Sequence, residues 1–384
     1  MNVRKLIGKI HLWLGMISGI IVFILGITGC IYAFVEEIKP LVYGDKYFVA
    51  PSQNARLPLS RLLKTARDTY GVNKPVSAIE IFNSTERPLR FRTYKESSDP
   101  GIWYWNRKEY YESVFISPYS GKILAVENSE FEFFRIVLFL HWSLLLSNEI
   151  GQPIVGIATI IFVISLVTGL ILWKPKNKKA ARQRYWFRWK STTKWRRKNY
   201  DFHNIMGFYS MAFTLIIALT GLVWAFSWFD DSVQWLANAG ETHLRSEPVS
   251  SDTSHHKSNL PIDMIFSRVS LKHPQAEAYY VYFPGSKQGV INVVIQNQEV
   301  YNNVTEQYDQ YTGKLLKTHY FTDQSRGEKL RDLNYDLHTG GILGLPGKIL
   351  AFFASLIAAS LPVSGFLIWW GRRKKSREKT VILN

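Results

Sequence analysis

KIHLWLGMISGIIVFILGITGCIYAF, residues 9–34, decides how the rest of the chain is read. No charged residue lies between Lys9 and Glu36. As a helix, Leu12 to Phe34 is roughly 35 Å long, enough to cross a hydrocarbon core of about 30 Å with some tilt. A single titratable side chain, His11, stands at its mouth. ITGC, residues 27–30, looks like a lipoprotein cleavage box. The apolar run before it is longer than a signal-peptide core and the chain stays apolar after it, so the stretch reads as a retained helix. Cys30 is the only cysteine. No disulfide can therefore form within one chain, and any domain outside the membrane must fold on its own core.

Three further apolar stretches follow, which gives an order of parts. Span one is 1–35, an outer α+β domain 36–133, and an outer helical segment with span two 134–173. A basic loop covers 174–200, span three 201–229, a second outer α+β domain 230–335, span four 336–371 and a basic tail 372–384. SNEIGQP (147–153) reads as a break before span two, and Pro346 and Pro362 as bends in span four. The formal net charge is +17: residues 1–10, 174–200 and 371–384, all flanking apolar runs, carry +20, and the rest of the chain nets −3. That is the positive-inside pattern, so both termini and the basic loop face the cytoplasm. The same pattern accounts for the charge without nucleic acid. Trp186, Trp189 and Trp195 among the loop's basic residues suit a surface lying on anionic lipid headgroups of the bilayer.

Each outer segment has one helical pattern and several alternating ones. LPLSRLLKTARDTYG (57–71) and IDMIFSRVSLKH (262–273) have helical periodicity. VSAIEIF (76–82), PLRFRTYK (88–95), YYESVFIS (110–117), AYYVYF (278–283), GVINVVIQ (289–296) and TEQYDQY (305–311) read as strands.

The two halves match in register. His11 precedes Gly15 by four residues and Gly29 by 18, and His203 precedes Gly207 and Gly221 by the same intervals. His141 lies 28 residues before Gly169 and His338 lies 27 before Gly365. FISPYSGKILA (115–125) and YDQYTGKLLKT (308–318) share a turn and strand ahead of the next span. The fold class expected is a membrane protein: an α-helical four-helix transmembrane bundle from a tandem duplication, with two α+β domains outside it. Each unit has two crossings, so the halves run parallel.

This topology sorts the histidines by depth. His11 and His203 begin outward helices and lie near the inner face, while His141 and His338 begin inward helices and lie near the outer face. Paired imidazoles on facing bundle helices are an axial arrangement for haem iron, which gives an expectation of two haem groups. Gly15 and Gly207 sit one turn from the inner histidines. Gly29 and Gly221, roughly 27 Å further along, fall near the outer pair. Small residues beside a flat macrocycle suit it, although they also serve plain helix packing. A lone histidine at a helix end is usually interfacial; four at matched positions are not.

Other features carry less. His243, His255 and His256 with Asp252 could bind a metal but read as a solvated loop. Trp103 to Trp105 could form an aromatic platform or an edge strand. GGILGLPG (340–347) is not a nucleotide loop, since no strand precedes it.

KIHLWLG, LHWSLLLSNEIGQPIVG, TGLILW, FHNIMGFY, TGLVWAF, LHTGGILGLPG and SGFLIWW, with the two outer SGK and TGK strands, resemble the PepSY-associated transmembrane family. The resemblance implies a bacterial inner-membrane protein whose two outer domains are PepSY-like and periplasmic. Family members are iron-regulated, and some reduce ferric siderophores with b-type haem. For this chain the resemblance puts axial ligands at His11, His141, His203 and His338. It implies a ferric siderophore substrate, hydroxamate type as first choice, and an electron donor that is a quinol or a cytoplasmic reductant. PepSY-like domains also inhibit or assist peptidases, so a membrane-anchored, non-enzymatic regulator is the alternative, with a metal or siderophore transporter behind it.

Overall fold

The computed structural model describes residues 2–52, 54–99, 101–175, 177–241, 248–254, 261–297 and 303–382. In chain order the helices are α1 (Val3–Tyr32), α2 (Val35–Val42), α3 (Gly44–Tyr47), α4 (Leu59–Tyr70), α5 (Phe133–Ser143), α6 (Asn148–Trp173), α7 (Lys178–Tyr185), α8 (Trp195–Ala225), α9 (Ser227–Ala237), α10 (Ile262–Lys272), α11 (Arg326–Asp332), α12 (Asn334–Thr339) and α13 (Gly344–Ile382). The strands are β1 (Ala78–Phe82), β2 (Leu89–Glu96), β3 (Lys108–Ile116), β4 (Ile123–Asn128), β5 (Ala278–Tyr282), β6 (Val290–Gln296), β7 (Val304–Asp309) and β8 (Leu315–Tyr320). They form two bodies. A helical one gathers the described residues of Met1–Val35, Val137–Val233 and Leu333–Asn384, and a sheet body gathers those of Glu36–Ile136 and Gln234–Asp332.

In the helical body, four helices are long and apolar enough to cross a membrane: Val3–Tyr32, Asn148–Trp173, Trp195–Ala225 and the Gly341–Arg373 stretch. They pack in a ring, α1 against α6, α6 against α8, α8 against α13 and α13 against α1, which leaves α1 and α8 at opposite corners. Small residues set the close crossings. A Cβ on Gly26 of α1 would come 2.7 Å from the Ser355 carbonyl oxygen and 2.8 Å from Ala359 Cβ on α13. Cys30 lies buried within α1. In the basic stretch, Trp189 Nε1 (3.2 Å) and Arg197 Nε (2.9 Å) both donate to buried Asp201, while Trp186 and Trp195 remain exposed.

Three boundaries differ from the sequence reading. The break before α6 falls at Leu144–Ser147, where Leu144 and Leu145 take positive φ (56° and 61°), and NEIGQP is already helical. Ser143 Oγ closes the corner by donating to the Leu146 carbonyl (2.7 Å). Only glycine fits at 151, since a Cβ there would lie 2.0 Å from the Ser143 carbonyl oxygen. Pro346 sits in the first turn of α13, where its missing N–H has no helical partner to lose, so it opens the helix and does not bend it. The turn before it uses Gly340 (φ 81°) and Gly344 (φ 61°). Finally, α7 and the start of α8 occupy the stretch read as a loop.

The sheet body corrects the expectation of two outer domains. Its eight strands form a single antiparallel sheet in the order β4-β3-β2-β1-β5-β6-β7-β8. The halves join where β1 pairs with β5, from Ala78 opposite Tyr282 to Phe82 opposite Ala278. Four strands and one helix form a thin unit with an open edge at its first strand; pairing the two first strands removes both edges. One core then serves both halves. Ile79, Phe91, Val114, Val281, Ile291 and Val293 pack with Leu62 and Leu63 of α4 and Ile265 and Val269 of α10. Within this core Glu306 is fully buried. Lys272 Nζ donates to it at 2.5 Å, Tyr308 Oη also donates to it, and His273 Nε2 is at 3.4 Å. Burial pushes its carboxyl pKa up, but the bonds from Lys272 and Tyr308 outweigh burial and hold it below the usual range.

Candidate functional site

The structure brings the four histidines together in twos. His11 on α1 and His203 on α8 have ring centroids 6.4 Å apart and planes at 79°. His141 on α5 and His338 on α12 have centroids 6.0 Å apart and planes at 75°. The first pair bridges opposite corners of the ring of helices. The second sits on the two short helices that precede α6 and α13. The break in the chain after each short helix thus places a histidine on a separate segment from the long helix that follows.

Each imidazole is tethered in the same way. His141 Nδ1 is 2.9 Å from Thr28 Oγ1, His338 Nδ1 is 2.9 Å from Thr220 Oγ1, and His203 Nδ1 is 2.8 Å from Ser364 Oγ. His11 Nδ1 has two neighbours at 3.1 Å, Thr168 Oγ1 and the Ser165 carbonyl oxygen. The hydroxyl protons are already committed. Thr28 donates to the Ile24 carbonyl, Thr220 to Ile216, Thr168 to Ile164 and Ser364 to Leu361, at 2.7–3.1 Å. A hydroxyl has one proton, so each can only accept from the ring. A backbone carbonyl can only accept as well. Hydrogen-bond bookkeeping therefore assigns the proton of all four rings to Nδ1 and leaves a lone pair on each Nε2. No hydrogen bond reaches any of these Nε2 atoms among the described residues.

The residue after each hydroxyl is a glycine, and it packs on the same ring. An added Cβ would meet the Cε1 atom of His141 at 3.4 Å from Gly29, of His338 at 3.4 Å from Gly221, of His11 at 3.2 Å from Gly169 and of His203 at 3.3 Å from Gly365. The unit is thus Ser or Thr followed by Gly on one long helix, gripping a histidine from another segment. Two asparagines tighten it in the second half. Asn199, four residues before His203, donates to the Ser364 carbonyl (3.0 Å), and Asn334, four before His338, donates to the Thr220 carbonyl (3.0 Å). Trp224 stands edge-on to His338 with centroids 5.1 Å apart.

Around His11 and His203 lies a cavity of about 360 Å³, lined also by Gly169, Gly207 and Gly365 among others. Of the glycines expected from sequence, Gly29 and Gly221 lie on His141 and His338, and Gly207 lines the cavity at His11 and His203. Gly15 does not line it, and an added Cβ there would meet nothing within 4 Å. Sequence reasoning missed Thr28, Thr168, Thr220, Ser364, Asn199 and Asn334. The signal was present as ITG, TGL, TGL and SGF, one in each span, but only the glycines were weighed. Among the described residues no three His, Cys, Asp or Glu side chains form a metal-binding group. His243, His255 and His256 lie outside the described residues. Trp103 and Trp105 stack at 5.1 Å, while Tyr104 between them is buried and donates to the Glu130 carbonyl (2.7 Å).

A family model described as PepSY-associated TM region matches residues 9–372. No curated protein matches the chain. With that match over nearly its whole length and four helices able to span a membrane, the chain belongs to the PepSY-associated TM family of membrane proteins.

Proposed function

We propose that the protein is a membrane oxidoreductase with two b-type haems that passes electrons across the bilayer to a ferric siderophore. The observation that carries this is the spacing within the histidine pairs. Two imidazoles on opposite sides of one iron, with metal–nitrogen bonds of about 2.0 Å and ring centres about 1.1 Å beyond the nitrogens, have centroids about 6.2 Å apart. The pairs stand at 6.4 and 6.0 Å. Four Nε2 lone pairs with Nδ1 tied to a hydroxyl or carbonyl are the donor set such an iron needs, and the tether raises ligand basicity as it fixes orientation. Four glycines let the imidazoles seat closely against the neighbouring helices, and the cavity beside His11 and His203, lined by Gly207, is where a flat ring would lie.

Bound haem supplies one-electron chemistry by cycling between Fe(III) and Fe(II). The chain's own residues hold the ligating nitrogens, fix their tautomer and keep the rings apart in depth. His11 and Gly29 are separated along α1 by 18 residues, roughly 27 Å, so the pairs serve opposite ends of the bundle. The substrate is Fe(III) held by hard oxygen donors, hydroxamates as the first choice. One electron from a quinol or cytoplasmic reductant makes it Fe(II), which those donors hold less well, and the iron is released. The basic ends of the helices support an orientation with the inner pair toward the cytoplasm.

The test is a proteoliposome enclosing dithionite, with ferric hydroxamate and a ferrous-specific dye outside. The dye develops colour only with the protein present, and His11→Ala or His338→Ala lowers the rate to that of empty vesicles. A rate independent of both histidines contradicts the proposal and leaves the membrane-anchored regulator as the reading.

A further inference from the structure

We infer that Arg372, Trp173 and Tyr200 anchor the carboxylate edge of the ring held by His11 and His203, a step that rests on the haem reading above. The inner cavity has a mouth of one charge. Arg4, Arg184 and Arg372 line it, and no Asp or Glu does among the described residues. Two of these arginines are fixed by the end of α6. Arg4 Nη2 donates to the Leu172 (2.7 Å) and Lys174 (3.2 Å) carbonyls, and Arg184 Nη1 to those of Leu172 (2.9 Å) and Trp173. They hold positive charge at the rim whatever else binds.

Three other donors of the lining, on Trp173, Tyr200 and Arg372, have no acceptor among the described residues. Trp173 is 8 % exposed, and its Nε1 is buried with no hydrogen-bond partner among the described residues. Its ring is fixed by stacking on Phe208, with centroids 3.7 Å apart and planes at 5°. A buried N–H without an acceptor costs about 1–3 kcal/mol. Among the described residues the Tyr200 hydroxyl and the Arg372 guanidinium also show no hydrogen bond or ion pair. Donors of one kind, converging on a cavity that contains two imidazole lone pairs, call for a ligand with a metal at its centre and acceptors at one edge. A b-type haem has its two carboxylates on one edge. Charged acceptors there complete all three donors and set which edge of the ring faces the basic end of the bundle.

The test uses the full chain, produced under haem limitation, purified in detergent and carrying His338→Ala so that only the inner pair remains. It is titrated with ferric protoporphyrin and, separately, with its dimethyl ester, following the Soret band. Arg372→Ala with Trp173→Phe is expected to weaken binding of the free acid about tenfold and to leave ester binding unchanged. Tyr200→Phe, which keeps the ring, gives a smaller loss with the same selectivity. Equal losses for acid and ester, or none for the acid, overturn the anchor. Absence of any binding to the parent protein overturns the haem reading itself, and that result appears before a rim variant is made.

Discussion

Replacing Thr28 by valine removes one atom's chemistry and little shape. Thr28 is 4 % exposed; its Oγ1 donates to the Ile24 carbonyl at 2.7 Å and accepts from His141 Nδ1 at 2.9 Å. Valine leaves the Nδ1–H of a buried imidazole without an acceptor. Stranding a buried donor costs about 1–3 kcal/mol. Losing the outer partner of a metal-ligating histidine typically lowers metal affinity 10- to 100-fold, which is about 1.4–2.7 kcal/mol. The two routes agree: on the proposed function, Thr28→Val should weaken haem binding at His141 and His338 by about 10- to 100-fold. Thr28→Ser, which keeps the hydroxyl, should restore most of it. The same logic ranks the four tethers. Thr168→Val should be the mildest, because His11 Nδ1 keeps the Ser165 carbonyl at 3.1 Å. The assay is Soret titration in a His11→Ala background for the outer site and a His338→Ala background for the inner one. Folded Thr28→Val protein with affinity within twofold of its parent would refute the tethering argument. So would equal losses from Thr28→Val and Thr168→Val.

Other outcomes follow from neighbouring contacts. Gly26→Val should separate α1 from α13, since even a Cβ would lie 2.7 Å from the Ser355 carbonyl oxygen, and lower thermal stability in detergent by about 1–3 kcal/mol. Asn334→Ala removes a buried bond to the Thr220 carbonyl and should cost about 1 kcal/mol, read as a lower unfolding midpoint with faster hydrogen exchange in Asn334–Thr339. The sheet body should lose stability in acid. The Glu306 carboxyl pKa is depressed in the fold, so its contribution is fully present above the unfolded carboxylate value of about 4.3 and fades as pH falls through the folded one. Glu306→Gln should flatten that part of an acid titration followed by tyrosine circular dichroism; an unchanged profile would assign acid sensitivity elsewhere.

The sequence carried the pairing of histidines because depth follows from helix direction, and direction follows from flanking charge. His11 with His203 and His141 with His338 needed no side-chain geometry. The tethers were harder to see. A serine or threonine inside a membrane helix ordinarily bonds back to its own i−4 carbonyl, and nothing in ITG says that its lone pair also faces a ring 113 residues away, as between Thr28 and His141. Asn199 and Asn334 were hidden for the same reason: their partners are backbone carbonyls on distant helices. Strand content was legible from alternation, but alternation fixes which face of a strand is apolar and not which strand lies beside it. The junction of β1 with β5 was therefore invisible, and two halves read as two domains form one sheet. The corner at Leu144 and Leu145 was misplaced because neither residue favours positive φ; the fold imposes it, with Gly151 making room.

The most direct measurement is the visible spectrum of the purified protein, oxidised and then reduced with dithionite, on the parent chain and on His11→Ala and His338→Ala. The expected result is a b-type spectrum with low-spin, bis-imidazole character at two haems per chain, with half lost in each variant. A folded parent protein whose spectrum shows no haem, or variants that keep both haems, would contradict it.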